Sequence, residues 1–385
     1  MDVTASSSVS TTTYFNVTVG TLTPAGRAVN NSFGKTEAYV TDRAVVEVVR
    51  RSGAQDERVL QQALDEMARS AGGRVIVGPG EWQLREAPLR VHAGTRLTLT
   101  PATRLVRTGP IETMLTNGPY GSGRTVGAHD GPGNIVVEGG IWDVNGFDNP
   151  LPSFGMVFNH ARDVQVRDLE IRNMPEWHAI ETNSTCNVTI SGCRFVTGIA
   201  RRPHAYQTEA VSLDLAAPGL TAWGAEDDTH SSHVRVIDNF CSGYPTFVGC
   251  HTGHPGLQHS SVVIANNTAT DLSCWAVNLT NTSTVSITAN AFTGTAAGIR
   301  IRTGGDRRVT GVAITGNVVS CTSGPAVHLD AAIGGKIAAT VVSGNSLSSP
   351  TLPIIERSGT IEAVLGPNAG DSNADEGEPM ASRGA

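Results

Sequence analysis

The sequence is poor in charged and aromatic residues, and it has no long apolar run. Charged residues make up 16% and aromatic residues 5% of the 385 residues. The formal net charge is −7 and the basic residues form no cluster, which excludes nucleic acid as an expected partner. No stretch of about 18 apolar residues occurs, so we expect no membrane-spanning helix.

The first residues also lack a basic segment followed by a continuous apolar core, which a Sec signal peptide requires. We therefore expect a mature form, another route of export, or a protein that stays inside the cell. The six cysteines match no zinc-binding spacing, and we interpret them as small apolar wall residues, with a disulfide between neighbouring rungs as the alternative.

What the sequence does contain is a repeat. Short β-branched segments recur, each followed three residues later by a fixed position that is most often asparagine. The asparagines are Asn239, Asn267, Asn290, Asn317 and Asn345, and earlier copies place Leu169 and Cys193 there. Asparagine tolerates a left-handed backbone at a corner, and its amide can bond the asparagine of the next rung. Strands at this period without helices indicate a solenoid of stacked strands.

The predicted fold is therefore all-β, a right-handed parallel β-helix with one N-terminal capping helix. The helix is expected near residues 57–70, with Asp56 as N-cap, because five apolar residues after Asp56 lie on one helical face and Gly72 and Gly73 follow. We divide the chain into a flexible or β-rich arm (1–45), one β-helix domain (46–365) and a disordered acidic tail (366–385).

A second strand of each rung predicts the functional wall. Aligning these strands with apolar residues inward puts two columns of residues outward. One column contains Glu181 and Arg300, and the other contains Asn183, Asp214, His251 and Arg302. Rung spacing of about 4.8 Å predicts that Glu181 and Asp214 lie roughly 8 Å apart. A structural outer wall does not need such residues, so we expect one groove with catalytic or binding function.

Loops flank this wall and offer further contacts. The segment 199–230 leaves the repeat on both sides of the strand AVSLD, and a second loop after His251 contains His254. Loops on a rigid scaffold commonly form the walls of a substrate groove. Trp177, beside His178, can stack on the face of a sugar ring through its indole.

The segment GGRVIVGPGEW (residues 72–82), preceded by the predicted helix, resembles the opening of the pectate-lyase superfamily. The segments HAIETN, EAVSLDLA and VGCHTG resemble β-helix proteins of actinobacteria and their phages, including tail-spike-like depolymerases. More loosely, Glu181-Thr182-Asn183, then Asp214, His251 and Arg300-Ile301-Arg302 are similar to the ordered motifs of polygalacturonase-type glycoside hydrolases. Here the first motif ends in Asn, the second has one carboxylate, and the histidine lacks its flanking glycines.

The resemblance implies a carbohydrate-active enzyme, in which Asp214 acts as an acid. We expect Asp214, Glu181 and His251 to be catalytic in a glycoside hydrolase acting on an acidic polysaccharide. The predicted substrate-binding residues are Asn183, Glu209, Arg300, Arg302, His254, Trp177 and His178. No cofactor and no metal is expected for hydrolysis.

Two alternatives stay open. A polysaccharide lyase or uronate epimerase would need a base and a cation, and Asp214, Glu181, Asp227 and Asp228 could supply oxygen ligands for Ca²⁺. A tail-spike or adhesin module would bind glycans without cleaving them. The expected partner is a polysaccharide in each case, association into homo-oligomers is left open, and the fold analogy suggests an extracellular or phage-particle location.

Overall fold

The computed structural model describes residues 11–14, 17–21, 44–49, 56–118, 126–199, 208–219, 223–250, 259–351 and 353–370. These residues form three β-sheets and one α-helix, α1 (Asp56–Arg69). Sheet A consists of β1 (Thr11–Tyr14), β2 (Val17–Thr21), β3 (Ala44–Val48), β4 (Gly73–Val77), β7 (Thr95–Leu99), β10 (Ile135–Glu138), β13 (Arg162–Arg167), β16 (Cys186–Ser191), β19 (Ser232–Ile237), β22 (His259–Ala265), β25 (Thr282–Thr288), β28 (Arg308–Thr315), β31 (Lys336–Ser343) and β34 (Thr360–Leu365).

Sheets B and C have ten strands each. Sheet B consists of β5 (Gly80–Leu84), β8 (Thr103–Arg107), β11 (Ile141–Asp143), β14 (Glu170–Met174), β17 (Arg194–Gly198), β20 (Phe240–Ser242), β23 (Thr268–Thr270), β26 (Ala291–Thr295), β29 (Val318–Cys321) and β32 (Ser346–Ser348). Sheet C consists of β6 (Leu89–Arg90), β9 (Thr113–Thr116), β12 (Phe154–Asn159), β15 (Ile180–Asn183), β18 (Glu209–Asp214), β21 (Thr246–Gly249), β24 (Trp275–Thr280), β27 (Ala297–Arg302), β30 (Val327–Asp330) and β33 (Ile355–Ser358).

The strand order confirms the predicted right-handed parallel β-helix. From β4 onward every third strand along the chain pairs in parallel with its neighbour in the same sheet, so each turn of the chain adds one strand to each sheet. Inward residues alternate with outward ones, as in β19, where Val234 and Val236 are buried and His233 and Arg235 are exposed. This period of two places one apolar column from each sheet in the core.

The predicted asparagine ladder is confirmed. The Oδ1 atom of Asn267 accepts hydrogen bonds from both the backbone N–H and Nδ2 of Asn239, each at 3.0 Å. The same pair of bonds joins every later step as far as Asn345, whose N–H and Nδ2 bond Asn368 at 3.0 and 2.9 Å. The residue before each asparagine has the left-handed backbone conformation, for example Asp238 with φ 58°. The sequence had predicted this conformation for the asparagine itself. The amide's contribution is therefore hydrogen bonding inside the wall.

The N-terminal helix is present. Its buried face consists of Val59, Leu60, Ala63, Leu64 and Met67, and it packs against the strands β3 to β7. At the start of the helix, the Asp56 carboxylate accepts the backbone N–H of Gln83 in β5 at 2.9 Å. The Glu57 carboxylate accepts the backbone N–H of Arg85, just after β5. After the helix, Gly72 has φ 110° and donates its N–H to the carbonyl of Met67 at 2.8 Å.

Two further expectations concern the cysteines and membranes. All six cysteines are free thiols, so the alternative of a disulfide between rungs is wrong. Burial raises the pKa of Cys193 and of Cys250 to about 12, and both thiols are apolar filling for the core. In the described part of the chain, no helix has the length and apolar character needed to cross a membrane.

Candidate functional site

The register of sheet C places the predicted outward columns as expected. Val157, Glu181 and Ser212 pair in successive strands, and the column continues through Gly249, Asn278, Arg300 and His328. In the second column Asn183 pairs with Asp214, and Arg302 pairs with Asp330. His251 and His254 lie outside the described residues, so their predicted roles stay predictions.

Four ionisable side chains meet on two neighbouring rungs of this wall, and we call them the acidic cluster: His178, Glu181, Glu209 and Asp214. Each is at most 4% exposed. The Nδ1 atom of His178 lies 2.9 Å from Oε2 of Glu209, and its Nε2 atom lies 3.9 Å from Oε2 of Glu181. One ligand-type atom from each of His178, Glu181 and Asp214 lies within 4.8 Å of the others.

Neighbouring polar groups hold these carboxylates in place. Asn183 donates from Nδ2 to Oε1 of Glu181 at 3.2 Å, and the Ser184 hydroxyl donates to Oδ1 of Asn183 at 2.8 Å. The Ser212 hydroxyl donates to Oδ2 of Asp214 at 3.2 Å. All of these residues are buried, and hydrogen-bonded side chains in a buried site keep their orientation.

The space that the Glu209 side chain occupies depends on a glycine of the next rung. Gly249 is the residue on the next rung, and a Cβ atom there would lie 2.6 Å from Cγ of Glu209. No real side chain tolerates such a contact without displacement, so Glu209 can lie against His178 only because position 249 has no side chain. The residue pattern alone gave no signal for this role of Gly249.

The expected 8 Å between Glu181 and Asp214 is wrong. Rung spacing sets the distance between backbones, but the two side chains lean towards each other, and their nearest oxygens are no more than 4.8 Å apart. Inverting glycosidases place a water between carboxyl groups about 6.5–9.5 Å apart. This pair is too close for a water to lie on the line between its two members.

The arginines lie on the same wall as the acidic cluster, in a second group further along the axis of the β-helix. Arg302 is three rungs from Asp214 by the strand register, about 14 Å. Arg300 forms an ion pair with Asp330, and its guanidinium lies 5.5 Å from the ring centroid of Trp275. We call Trp275, Arg300, Arg302 and Asp330 the arginine cluster.

The charges inside the arginine cluster are partly balanced. Burial raises the pKa of Asp330, but hydrogen bonds from Arg300 and from the Ser358 hydroxyl outweigh it and leave that pKa below its usual value. Arg302 lies 3.8 Å from Asp330 and its side chain is 43% exposed. One carboxylate therefore faces two guanidinium groups, so the cluster keeps positive charge at the surface.

Trp177, a predicted sugar contact, is exposed at the edge of the acidic cluster. Its ring centroid lies 4.8 Å from that of Phe154, and Phe154 lies 5.6 Å from the ring of His178. Trp177 has φ 69°, which is rare for a bulky residue and accompanies functional sites. Phe154, which contacts both Trp177 and His178, was not predicted as a site residue.

One proposed calcium ligand has a structural role. Asp227 accepts the N–H groups of Ala128 at 2.7 Å and of Thr229 at 3.1 Å. Burial raises the pKa of the Asp227 carboxyl, but these hydrogen bonds lower it by more than burial raises it. The net pKa is therefore below its usual value. Its carboxylate thus fixes two loop segments to each other.

Comparisons with known proteins agree with the fold. No protein-family model matches the chain, and no curated protein sequence matches it. Similar solved structures include PfbA, a surface adhesin of Streptococcus pneumoniae, at 18% identity and a TM-score of 0.67, covering 76% of this chain and 75% of that one. An endo-xylogalacturonan hydrolase from Aspergillus tubingensis has 14% identity and a TM-score of 0.59, with 85% and 92% covered. The Dettilon tailspike protein has 11% identity and a TM-score of 0.54, with 83% and 68% covered.

These similarities agree with the class that the strand topology defines, a right-handed parallel β-helix protein. At such identities they establish the fold alone. Function on this fold is a property of sites built on its walls.

Proposed function

We propose that this β-helix protein is an enzyme that cleaves an acidic polysaccharide by hydrolysis at the acidic cluster. One observation carries the proposal: His178, Glu181, Glu209 and Asp214 converge on two rungs of sheet C although burying them costs free energy. Stability does not require ionisable residues there, because uncharged side chains fill buried positions at a lower cost. Buried ionisable groups that converge on one point are typical of catalytic sites.

In the proposed reaction Asp214 donates a proton to the oxygen of the glycosidic bond, and Glu181 removes a proton from the attacking water. Two ionised carboxylates this close repel each other, whereas one proton between them gives an acid and a base. The water then lies beside the pair, within reach of Glu181. His178 faces Glu181 through Nε2 and is oriented by Glu209 on its other nitrogen.

Substrate would extend from the acidic cluster along the wall to the arginine cluster. The separation of about three rungs corresponds to a few sugar units of an extended chain. Arg302 and Arg300 would pair with the carboxylate of an acidic sugar, and Trp275 would contact a ring face. Trp177 would stack on a sugar at the opposite end of the acidic cluster. The similarity to a xylogalacturonan hydrolase supports a polysaccharide substrate.

The spacing of the cluster favours one alternative reaction. A histidine nitrogen and two carboxylate oxygens within 4.8 Å of one another form a set that could hold a divalent cation. In a polysaccharide lyase or uronate epimerase such a cation would neutralise the sugar carboxylate next to the proton that is removed.

A single assay separates these reactions. The protein is incubated with polygalacturonate, with alginate and with neutral dextran, and both new reducing ends and the ultraviolet absorbance of unsaturated uronides are recorded. Hydrolysis predicts reducing ends from an acidic polymer without the absorbance, unchanged by a chelator. Elimination predicts both signals, and their loss with chelator would identify the cation mechanism. Binding to the polymer without either signal would refute cleavage. A changed ratio of the uronate epimers in the recovered polymer would then identify an epimerase, and an unchanged ratio would identify a binding module.

A further inference from the structure

A second groove lies on the outer face of sheet A, away from the acidic and arginine clusters. Seven successive strands place one residue in the left-handed backbone region at the same position: Asp163, Asn187, His233, Ser261, Thr284, Gly311 and Ala339. These residues take no part in the strand pairing. For example, Cys186 pairs with Ser232 and Val188 pairs with Val234, while Asn187 and His233 between them are unpaired in the sheet register. The stacked bulges form a notch along the axis of the β-helix.

The notch contains an open groove of about 400 Å³ that spans five rungs. Its lining combines the apolar surface of Val262, Val263 and Val285 with polar side chains, which are Asn187, His233, Arg235, Ser261, Thr284 and Ser286. Side chains other than glycine in the left-handed region cost free energy, and only one of these seven positions is glycine. Four of the seven bulge residues present polar side chains to the groove: Asn187, His233, Ser261 and Thr284.

The charge of this face differs from that of the whole chain. The protein has 35 acidic residues and a net charge of −7. Yet the six consecutive strands β16, β19, β22, β25, β28 and β31, all within the described residues, contain no Asp or Glu. Arg235 and His233 are exposed in the middle of these strands. The outward neighbours of Arg235 on the adjacent rungs are Thr189 and Val263.

We propose that this notch is an accessory binding groove for an acidic polysaccharide chain. The occupant follows from charge: the lining of the groove contains Arg235 at its centre and no Asp or Glu, and Asp163, at one end of the notch, accepts a hydrogen bond from Asn187. A cation beside hydroxyl groups suits a polymer that carries carboxylates and hydroxyl groups. The rung spacing of about 4.8 Å is close to the length of one sugar unit, so successive rungs present similar hydrogen-bonding groups to successive sugars. The ligand class of this groove rests on the proposed function. The groove would hold the polymer on a face that has no part in cleavage.

The test uses the full chain and affinity electrophoresis in gels that contain polygalacturonate or neutral dextran. Arg235→Glu reverses the central charge of the groove. Arg194→Glu is the matched control, because it changes the net charge equally on sheet B, where Arg194 stacks on Phe240. We expect Arg235→Glu to weaken retardation by polygalacturonate about tenfold, the effect of losing one charged contact. Arg194→Glu and Arg235→Lys should stay within about threefold of the wild type on that same scale.

The outcomes separate the groove from the cleavage site. Turnover of a galacturonate hexamer should be the same in Arg235→Glu and wild type, because the groove lies on another sheet. If no variant cleaves any polymer but Arg235→Glu loses retardation, the groove stands and the proposed function fails. Unchanged retardation of Arg235→Glu, no retardation of the wild type, or equal Arg235-dependent retardation by single-stranded DNA would overturn the groove as a polysaccharide site.

Discussion

The Nδ1 atom of His178 and Oε2 of Glu209 lie 2.9 Å apart on neighbouring rungs of sheet C, with both side chains buried. The partner of one imidazole nitrogen fixes the ring orientation and decides what the other nitrogen can do. Here Nε2 is directed towards Glu181, 3.9 Å away. We therefore propose that Glu209 positions His178 within the acidic cluster.

The first prediction tests this positioning through Gly249. Gly249→Ala should push Glu209 off His178, because the new Cβ would lie 2.6 Å from Cγ of Glu209. We expect turnover of polygalacturonate to fall about tenfold or more, with a loss of about 1–3 kcal/mol in the free energy of unfolding. Glu209→Ala should lower turnover similarly, and combining both changes should cost little more than either alone. Fully additive losses of turnover would show that Gly249 and Glu209 act separately.

The second prediction concerns the arginine cluster. Arg302→Ala should weaken binding of a galacturonate hexamer about tenfold, because it removes a charge-assisted contact to a sugar carboxylate. Isothermal titration with the hexamer measures this, and Arg302→Lys should retain part of the affinity. Arg302 is a cleaner choice than Arg300, whose guanidinium is engaged by Asp330 and Trp275. Equal affinities of Arg302→Ala and wild type would remove Arg302 from the site.

The third prediction concerns the helix as an end cap. Leu64 is 1% exposed against the first rungs, so Leu64→Asp should cost at least about 3 kcal/mol of unfolding free energy through a buried unpaired charge. Gln62→Asp, at an exposed position of the same helix, is the control and should cost much less. Urea unfolding measures both. Similar stabilities for the two variants would show that the helix does not cap the solenoid.

The fourth prediction is a pH dependence of stability. Burial, with an added effect from His230, lowers the pKa of His259 to about 4, although nearby Asp214 raises it. Below pH 6.5 the unfolded chain binds a proton that the folded chain does not, so His259 lowers stability as the pH falls from about 6.5 to 4. His259→Asn keeps an acceptor for the N–H of Ser231. Between pH 7 and pH 4, the unfolding free energy of this variant should fall by about 2–3 kcal/mol less than that of the wild type. Identical pH profiles for His259→Asn and wild type would contradict the assignment.

The sequence predicted the solenoid because its signals repeat. The spacing of Asn239, Asn267 and Asn290 fixed the register of the rungs, and that register placed Asn183 beside Asp214 correctly. The direction in which a side chain leans is not periodic. This is why the approach of Glu181 to Asp214 and the contact of Glu209 with His178 needed coordinates.

Other features could have been found from the sequence. Counting rungs between Asp214 and Arg302 gives three, which already separates the arginines from the acidic cluster. The absence of acidic residues from six strands of sheet A is also visible in the sequence. Burial of the acidic cluster was not predictable, because an outward position faces water in the repeat and is covered only in the folded molecule.

The measurement that tests the central claim most directly is the turnover of polygalacturonate by Asp214→Asn. The substitution keeps the shape of the side chain and an acceptor for the Ser212 hydroxyl, but it removes the ionisable proton. The account predicts a loss of turnover of at least about a hundredfold, the usual contribution of a positioned acid or base, with unchanged thermal unfolding. Full activity of Asp214→Asn on a polymer that the wild type cleaves would contradict hydrolysis at the acidic cluster.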